Sequence, residues 1–184
     1  IEIHNTAYSF YPDKFVKKLK VEALAKVIKY FKKSNVELET YPEKFLNQSL
    51  PQESIVIVLV DNMDTRIEIW QNRIKNNPDI FLYMEGRISF DTYRLYTIRP
   101  WQKTDIAFYE SHLYPEKEAY QETCARRSII YTPMGLTSEI ACNLKKFVRG
   151  EPIFGEIIRE YYGGTLITNY PILSIYWNVI KSLI

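Results

Sequence analysis

Cysteine is scarce in this sequence of 184 residues: Cys124 and Cys142 are the only two. They lie far apart and form no C-x-x-C, so no zinc site is readable, and two thiols do not make a disulfide framework. Long hydrophobic runs are also missing. No stretch approaches the ~18 apolar residues that a membrane-crossing helix needs, and the first residues lack the pattern of a secretory signal. The expected compartment is therefore cytoplasmic, with no membrane partner. An excess of one charge is absent too. The 24 Lys and Arg against 22 Asp and Glu leave a net +2, too balanced to argue for nucleic acid. The chain does not open on Met, and Ile1-Glu2-Ile3-His4-Asn5 reads like the middle of a protein. His4 and His112 are isolated, without ligand-like partners.

What is present suits one folded domain spanning 1–184. Apolar residues make up 46%, and a chain of this length can bury roughly 70% of its unfolded surface. The 15 Tyr and nine Phe point to a well-packed core or a subunit interface.

The organising stretch is Ser54-Ile55-Val56-Ile57-Val58-Leu59-Val60-Asp61-Asn62-Met63-Asp64-Thr65-Arg66. Its continuous apolar, largely β-branched run predicts a strand (54–60) buried on both faces in the middle of a parallel sheet. A helix over 64–75 follows, ended by Asn76-Asn77-Pro78. In open α/β sheets ligands sit outside the carboxyl ends of the strands, which makes Asp61 and Asn62 candidates for chemistry. In the plainer alternative, Asp64 caps the helix and Asp61 is a solvated loop residue.

Upstream, Asp13 is a plausible N-cap for a helix over 14–33, with Val21, Leu24, Ile28 and Phe31 on one face. Its many lysines form a solvated face, or some of them meet phosphates. Val36–Thr40 reads as a strand before Pro42. Downstream, 79–85 is the next buried strand, and a right-handed crossover joins it to 54–60. Ser89–Arg99 and Asp105–His112 read as antiparallel strands at the sheet edge, and 113–127 as a long connection. Ser128–Arg149 is helical with Gly150 as its C-cap. A second helix is predicted over Ile153–Tyr161, Thr165–Thr168 reads as β-branched chain after Gly163-Gly164, and Ile172–Leu183 closes the chain.

Taken together, these residues resemble the ThiF/MoeB/HesA family, the adenylyltransferases related to the ubiquitin-activating enzymes. Asp61-Asn62-Met63-Asp64-Thr65-Arg66 fits the family's D-N-x-x-x-R motif letter for letter. Ile1–Asn5 looks like the segment entering its N-x-x-R-Q. Lys20 stands where the family has a phosphate-contacting Lys, Cys124 resembles the Cys of its crossover loop, and Glu85-Gly86-Arg87 the turn after the next strand. The resemblance runs from Ile1 to about Gly150. It implies an α/β fold with a Rossmann-like, mostly parallel sheet, helices on both faces and an antiparallel edge extension. It also implies ATP and Mg²⁺ as cofactors, and a ubiquitin-like or sulfur-carrier protein as partner, beside an expected homodimer. Within that resemblance Asp61 would hold Mg²⁺, Lys20 would meet the phosphates, and Asn5 and Asn62 would contact the nucleotide. Arg66 would orient Asp61 or close the site, or else make an i,i+4 ion pair on the helix surface. Cys124 would form a thioester, its thiolate favoured by Arg126 and Arg127, or else be a plain loop cysteine.

Two departures stand out. Tyr8 and Ser9 occupy the Arg and Gln positions, and the Gly-rich strand–turn–helix that holds the nucleotide is expected upstream of Ile1. A member without that unit could serve as a non-catalytic binding or dimerisation module, with the Tyr-rich region 87–112 as its interface. A nuclease reading rests on Asp79, Glu85 and Arg87, although their spacing is short and confined to one strand.

Overall fold

The computed structural model describes residues 1, 11, 13–31, 37–45, 48–118 and 130–172. The chain forms two compact units, Ile1–Asn47 and Gln48–Ile184. In the first unit, Asp13–Phe15 makes a short 3-10 turn and α1 runs Lys20–Phe31. Among its described residues Phe15 and Ala23 are the buried apolar side chains, and Val21, Leu24, Ile28 and Phe31 of the expected apolar face stay exposed. The continuous helix over 14–33 is thus interrupted before Lys20. Residues 37–40 lie outside any strand, and Val36 lies outside the described residues.

The second unit is α/β, with one open, mixed five-stranded sheet in sequence order β1-β2-β3-β4-β5. β1 (Ser54–Val58) pairs in parallel with β2 (Ile80–Ser89), from Ser54 opposite Ile80 to Val58 opposite Glu85. A parallel pair needs a crossover, supplied here by α2 (Met63–Ile69) and the π-helical turn Trp70–Ile74 that continues it. β1 has one neighbour among the described residues, so it lies at the sheet edge rather than in the middle. Its burial alternates accordingly, with Ile55 and Ile57 exposed.

From β2 onward the sheet is antiparallel. β2 turns at Phe90-Asp91 into β3 (Thr92–Ile98), which pairs with β4 (Ile153–Glu160), and β4 with β5 (Leu166–Ile172). Two expected element types change here. Segment 105–112 is mostly helix, α3 (Lys103–Glu110), because Asp105 sits in the first turn. Its carboxylate accepts from the Arg99 backbone N–H at 3.1 Å and the Arg99 guanidinium at 2.7 Å. Segment 153–161 is strand β4, since Ile153 and Ile157 both face the core across Gly155. α4 (Tyr131–Arg149) ends on Gly150, whose φ of 70° is the left-handed C-cap conformation that glycine adopts without strain.

α4 covers one sheet face. Leu136 and Ile140 pack there on Leu82, Met84, Tyr93, Leu95, Ile153, Ile157 and Ile172, each such side chain contributing ~1.5–3 kcal/mol on burial. Gly86 permits this approach: a Cβ there would lie 2.6 Å from Leu136 Cδ2 and 2.7 Å from Leu59 Cδ2. The opposite face is aromatic and polar, with Tyr83, Glu85 and Tyr96 under Trp70 of the crossover and Tyr109 of α3. No helix among the described residues is long and apolar enough to cross a membrane.

Candidate functional site

The carboxyl end of β1 turns sharply into α2, and three side chains of D-N-x-x-x-R take three different tasks there. Asn62 is the N-cap: its extended backbone lets Oδ1 accept from the Thr65 N–H at 2.9 Å and the Thr65 hydroxyl at 3.1 Å. Arg66 is buried, 5% exposed. Its guanidinium donates to the Glu85 carboxylate, to the Gly86 carbonyl at 2.9 Å and to the Val60 carbonyl. Asp61 is exposed and makes no hydrogen bond or ion pair with the described residues. Arg66 therefore lies beneath the turn, its charge directed at Glu85 rather than at Asp61 or the helix surface.

Glu85 is the centre of this layer, with no solvent exposure. Besides Arg66 it accepts from Arg87 Nε at 2.6 Å and from the Tyr109 hydroxyl, which lies 3.1 Å from that of Tyr83. Burial alone would push the Glu85 carboxyl up; the hydrogen bonds and charge of Arg87, with Arg66 and Tyr109, overcome it and hold the carboxyl below its usual range. Arg87, despite burial, is raised by the same carboxylate. It donates to the His112 carbonyl at 2.9 Å and stacks over Tyr96, 4.7 Å from the ring centre. Burial raises the Tyr109 and Tyr83 hydroxyls strongly, reinforced by the Glu85 charge beside them.

A second tie reaches the turn from outside. Glu116, in the short 3-10 turn Glu116–Glu118, accepts from the Met63 N–H at 2.6 Å, while its own N–H donates to Asp64 at 3.0 Å. This reciprocal pair joins the chain beyond α3 to the first turn of α2.

The structure thus brings Asp61, Asn62 and Arg66 together on one turn. Lys20 is exposed on the first residue of α1, in the other unit, and Asn5 and Cys124 lie outside the described residues. Glu85 is spent on Arg66 and Arg87, which leaves the nuclease reading with Asp79 as its one remaining carboxylate. No group of three or more His, Cys, Asp or Glu able to hold a metal occurs among the described residues. Sequence reasoning passed over the structural work of Glu85, Arg87, Tyr109 and Glu116. The one available signal was a Glu-x-Arg pair inside an otherwise apolar strand, which puts both charges on the same buried face.

Comparison with known proteins returns no matching family model and no match among curated proteins. The fold and the turn define an α/β protein with an open mixed sheet in which the Asp61 carboxylate, unbonded among the described residues, follows the carboxyl end of the parallel strand β1.

Proposed function

We propose that this chain is part of an ATP-dependent adenylyltransferase of the ThiF/MoeB/HesA kind, which activates the C-terminal carboxylate of a ubiquitin-like or sulfur-carrier protein. The observation that carries this reading is the division of labour on the turn. Asn62 and Arg66 hold the backbone on either side while the Asp61 carboxylate is left free at the strand end, where α/β folds take ligands.

Of the two cofactors, Asp61 bears on Mg²⁺, and the nucleotide would need the Gly-rich unit as well. Mg²⁺ in phosphate sites is held through one or two carboxylates plus the substrate's own phosphates and water, so a lone Asp61 suffices. Bound there, Mg²⁺ would shield the negative charge of the phosphates. Asn62 spends Oδ1 on its cap, leaving Nδ2 for the nucleotide. In the reaction the carrier's carboxylate oxygen bonds to the α-phosphorus of ATP and pyrophosphate leaves. The Cys124 thiolate would then take the acyl group as a thioester, with AMP leaving.

Among the described residues β1 pairs with β2 alone, and the backbone along its other side would take the strand of a Gly-rich, phosphate-holding unit, which would complete the Rossmann-like arrangement. For the alternative, a non-catalytic binding or dimerisation module, the tyrosines of region 87–112 do not supply the interface, because Tyr93, Tyr96 and Tyr109 are core residues, each 3% exposed or less.

The test is ATP–pyrophosphate exchange by the protein supplied with its Gly-rich unit, on the same or a second chain. Exchange that Asp61→Ala abolishes supports the reading. Absence of exchange with the carrier present, or unchanged exchange in Asp61→Ala, overturns it.

A further inference from the structure

We infer that Glu85 is a positioning residue for Asp61: through Arg66 it fixes the backbone from which the Asp61 carboxylate is presented. The inference rests on the adenylation reading for its purpose, but its geometry stands apart from it. The last register pair between β1 and β2 is Val58 opposite Glu85. Beyond it the strands part, and the carbonyls of Val60 and Gly86 lose the ladder that would have satisfied them. One planar guanidinium replaces that ladder, since Arg66 reaches both carbonyls and the Glu85 carboxylate together. The Val60 carbonyl belongs to the peptide group that leads directly into Asp61.

On the other side of Asp61, the Asn62 carbonyl accepts from the Arg66 N–H at 3.1 Å, and the next N–H, of Met63, donates to Glu116. Asp61 is therefore bracketed by pinned backbone, and its side chain is the part left free. A buried Arg–Glu–Arg group is an expensive way to fill space, because apolar residues of the same volume often give equal or greater stability. What apolar residues cannot do is hold two carbonyls of diverging strands at a set distance. Glu85 keeps Arg66 in that pose, and Arg87 and Tyr109 keep Glu85 in its own. Lys at position 66 would lack the fork geometry that reaches three acceptors at once.

The experiment compares Glu85→Gln, which keeps the shape and removes the charge, with Ile140→Val, a core change distant from the turn. Amide hydrogen exchange is read on the full 184-residue chain. We expect exchange of the hydrogen-bonded amides of Met63, Thr65 and Arg66 to accelerate by about tenfold or more in Glu85→Gln relative to β3 and β4, and Ile140→Val to show no such local bias. Should Glu85→Gln not fold, Tyr109→Phe removes one donor to the same carboxylate and gives a smaller acceleration confined to the same residues. Acceleration spread evenly over the sheet, or none at Met63, Thr65 and Arg66, overturns the inference. In exchange-competent protein, Glu85→Gln lowers kcat by up to about 10²-fold with KM for ATP nearly unchanged, the signature of a misplaced group. A fall in KM-derived affinity alone counts against it. If the wild-type protein shows no ATP–pyrophosphate exchange, the adenylation reading fails, while hydrogen exchange still decides whether Glu85 pins the turn.

Discussion

Replacing Arg66 by alanine separates the work of the buried cation from that of the exposed carboxylate five residues before it. The change strips Glu85 of one of its two cationic partners and leaves the Val60 and Gly86 carbonyls without their donor. Breaking a buried ion pair by deleting one partner costs ~3–5 kcal/mol. Arg87 and Tyr109 remain on Glu85, which argues for the lower end of that range, and the two orphaned carbonyls, partly relieved by entering water, argue against going below it. The expected loss is about 3–4 kcal/mol, or roughly 10 °C in Tm for a unit of this size. Urea unfolding followed by circular dichroism reads it as a lower midpoint at an unchanged slope. The pH dependence carries a second signature. The Glu85 carboxyl is held low in the folded protein, so its contribution is present above the unfolded value and is lost as pH falls through the folded one. Without Arg66 that carboxyl rises, and acid unfolding begins at higher pH. A loss below about 1 kcal/mol with an unmoved acid limb would refute the whole account of the layer.

Asp61→Ala is expected to leave stability within about 0.5 kcal/mol, because the side chain is exposed and makes no bond with the described residues; a large drop in Tm would mean that it has a structural partner. Asn62→Ala removes the α2 cap and costs about 1 kcal/mol, with Asn62→Gly costing only a few tenths, measurable by urea unfolding of the pair. Gly86→Ala forces a methyl against Leu136 and Leu59; Leu59 is exposed and can move, but Leu136 is buried, so about 1–3 kcal/mol is lost, and Leu136→Ala in the same chain recovers part of the difference.

The parts of the fold that could be read directly from the chain are those where one physical signal acts alone. The β-branched run at 54–60 and Asn76-Asn77-Pro78 mark β1, the crossover helix and its end, and Gly150 marks the end of α4. Segment 153–160 misleads because Ile153 and Ile157 are four apart, a spacing shared by one helix face and one strand face; Gly155 between them is what the strand tolerates at the core. Segment 103–110 misleads because its short apolar-polar alternation imitates a strand, while the contact that anchors the helix, buried Asp105 with Arg99 six positions earlier, leaves no mark in hydrophobic periodicity. The candidate site was legible as a motif but not as a mechanism. Nothing in D-N-x-x-x-R tells which of its polar residues turns inward, since the partner that decides it, Glu85, stands nineteen positions beyond Arg66 on another strand.

Burial of Tyr83, Tyr96 and Tyr109 makes the protein's own ultraviolet absorbance a reporter of the layer around Glu85. Burial pushes the Tyr96 hydroxyl up to about 12, even against the charges of Arg87 and Arg94 that draw it down, and it holds those of Tyr83 and Tyr109 higher still. A hydroxyl raised in this way stabilises the fold fully below the ordinary phenol value of about 10, and that contribution is lost as pH climbs through the raised value. In an alkaline titration, surface phenols ionise first. The buried ones yield phenolate only when this face of the sheet opens, so a late, cooperative rise in near-ultraviolet absorbance coincides with loss of the sheet's dichroism. Added alkali therefore needs no dye or label to time the opening of the aromatic layer.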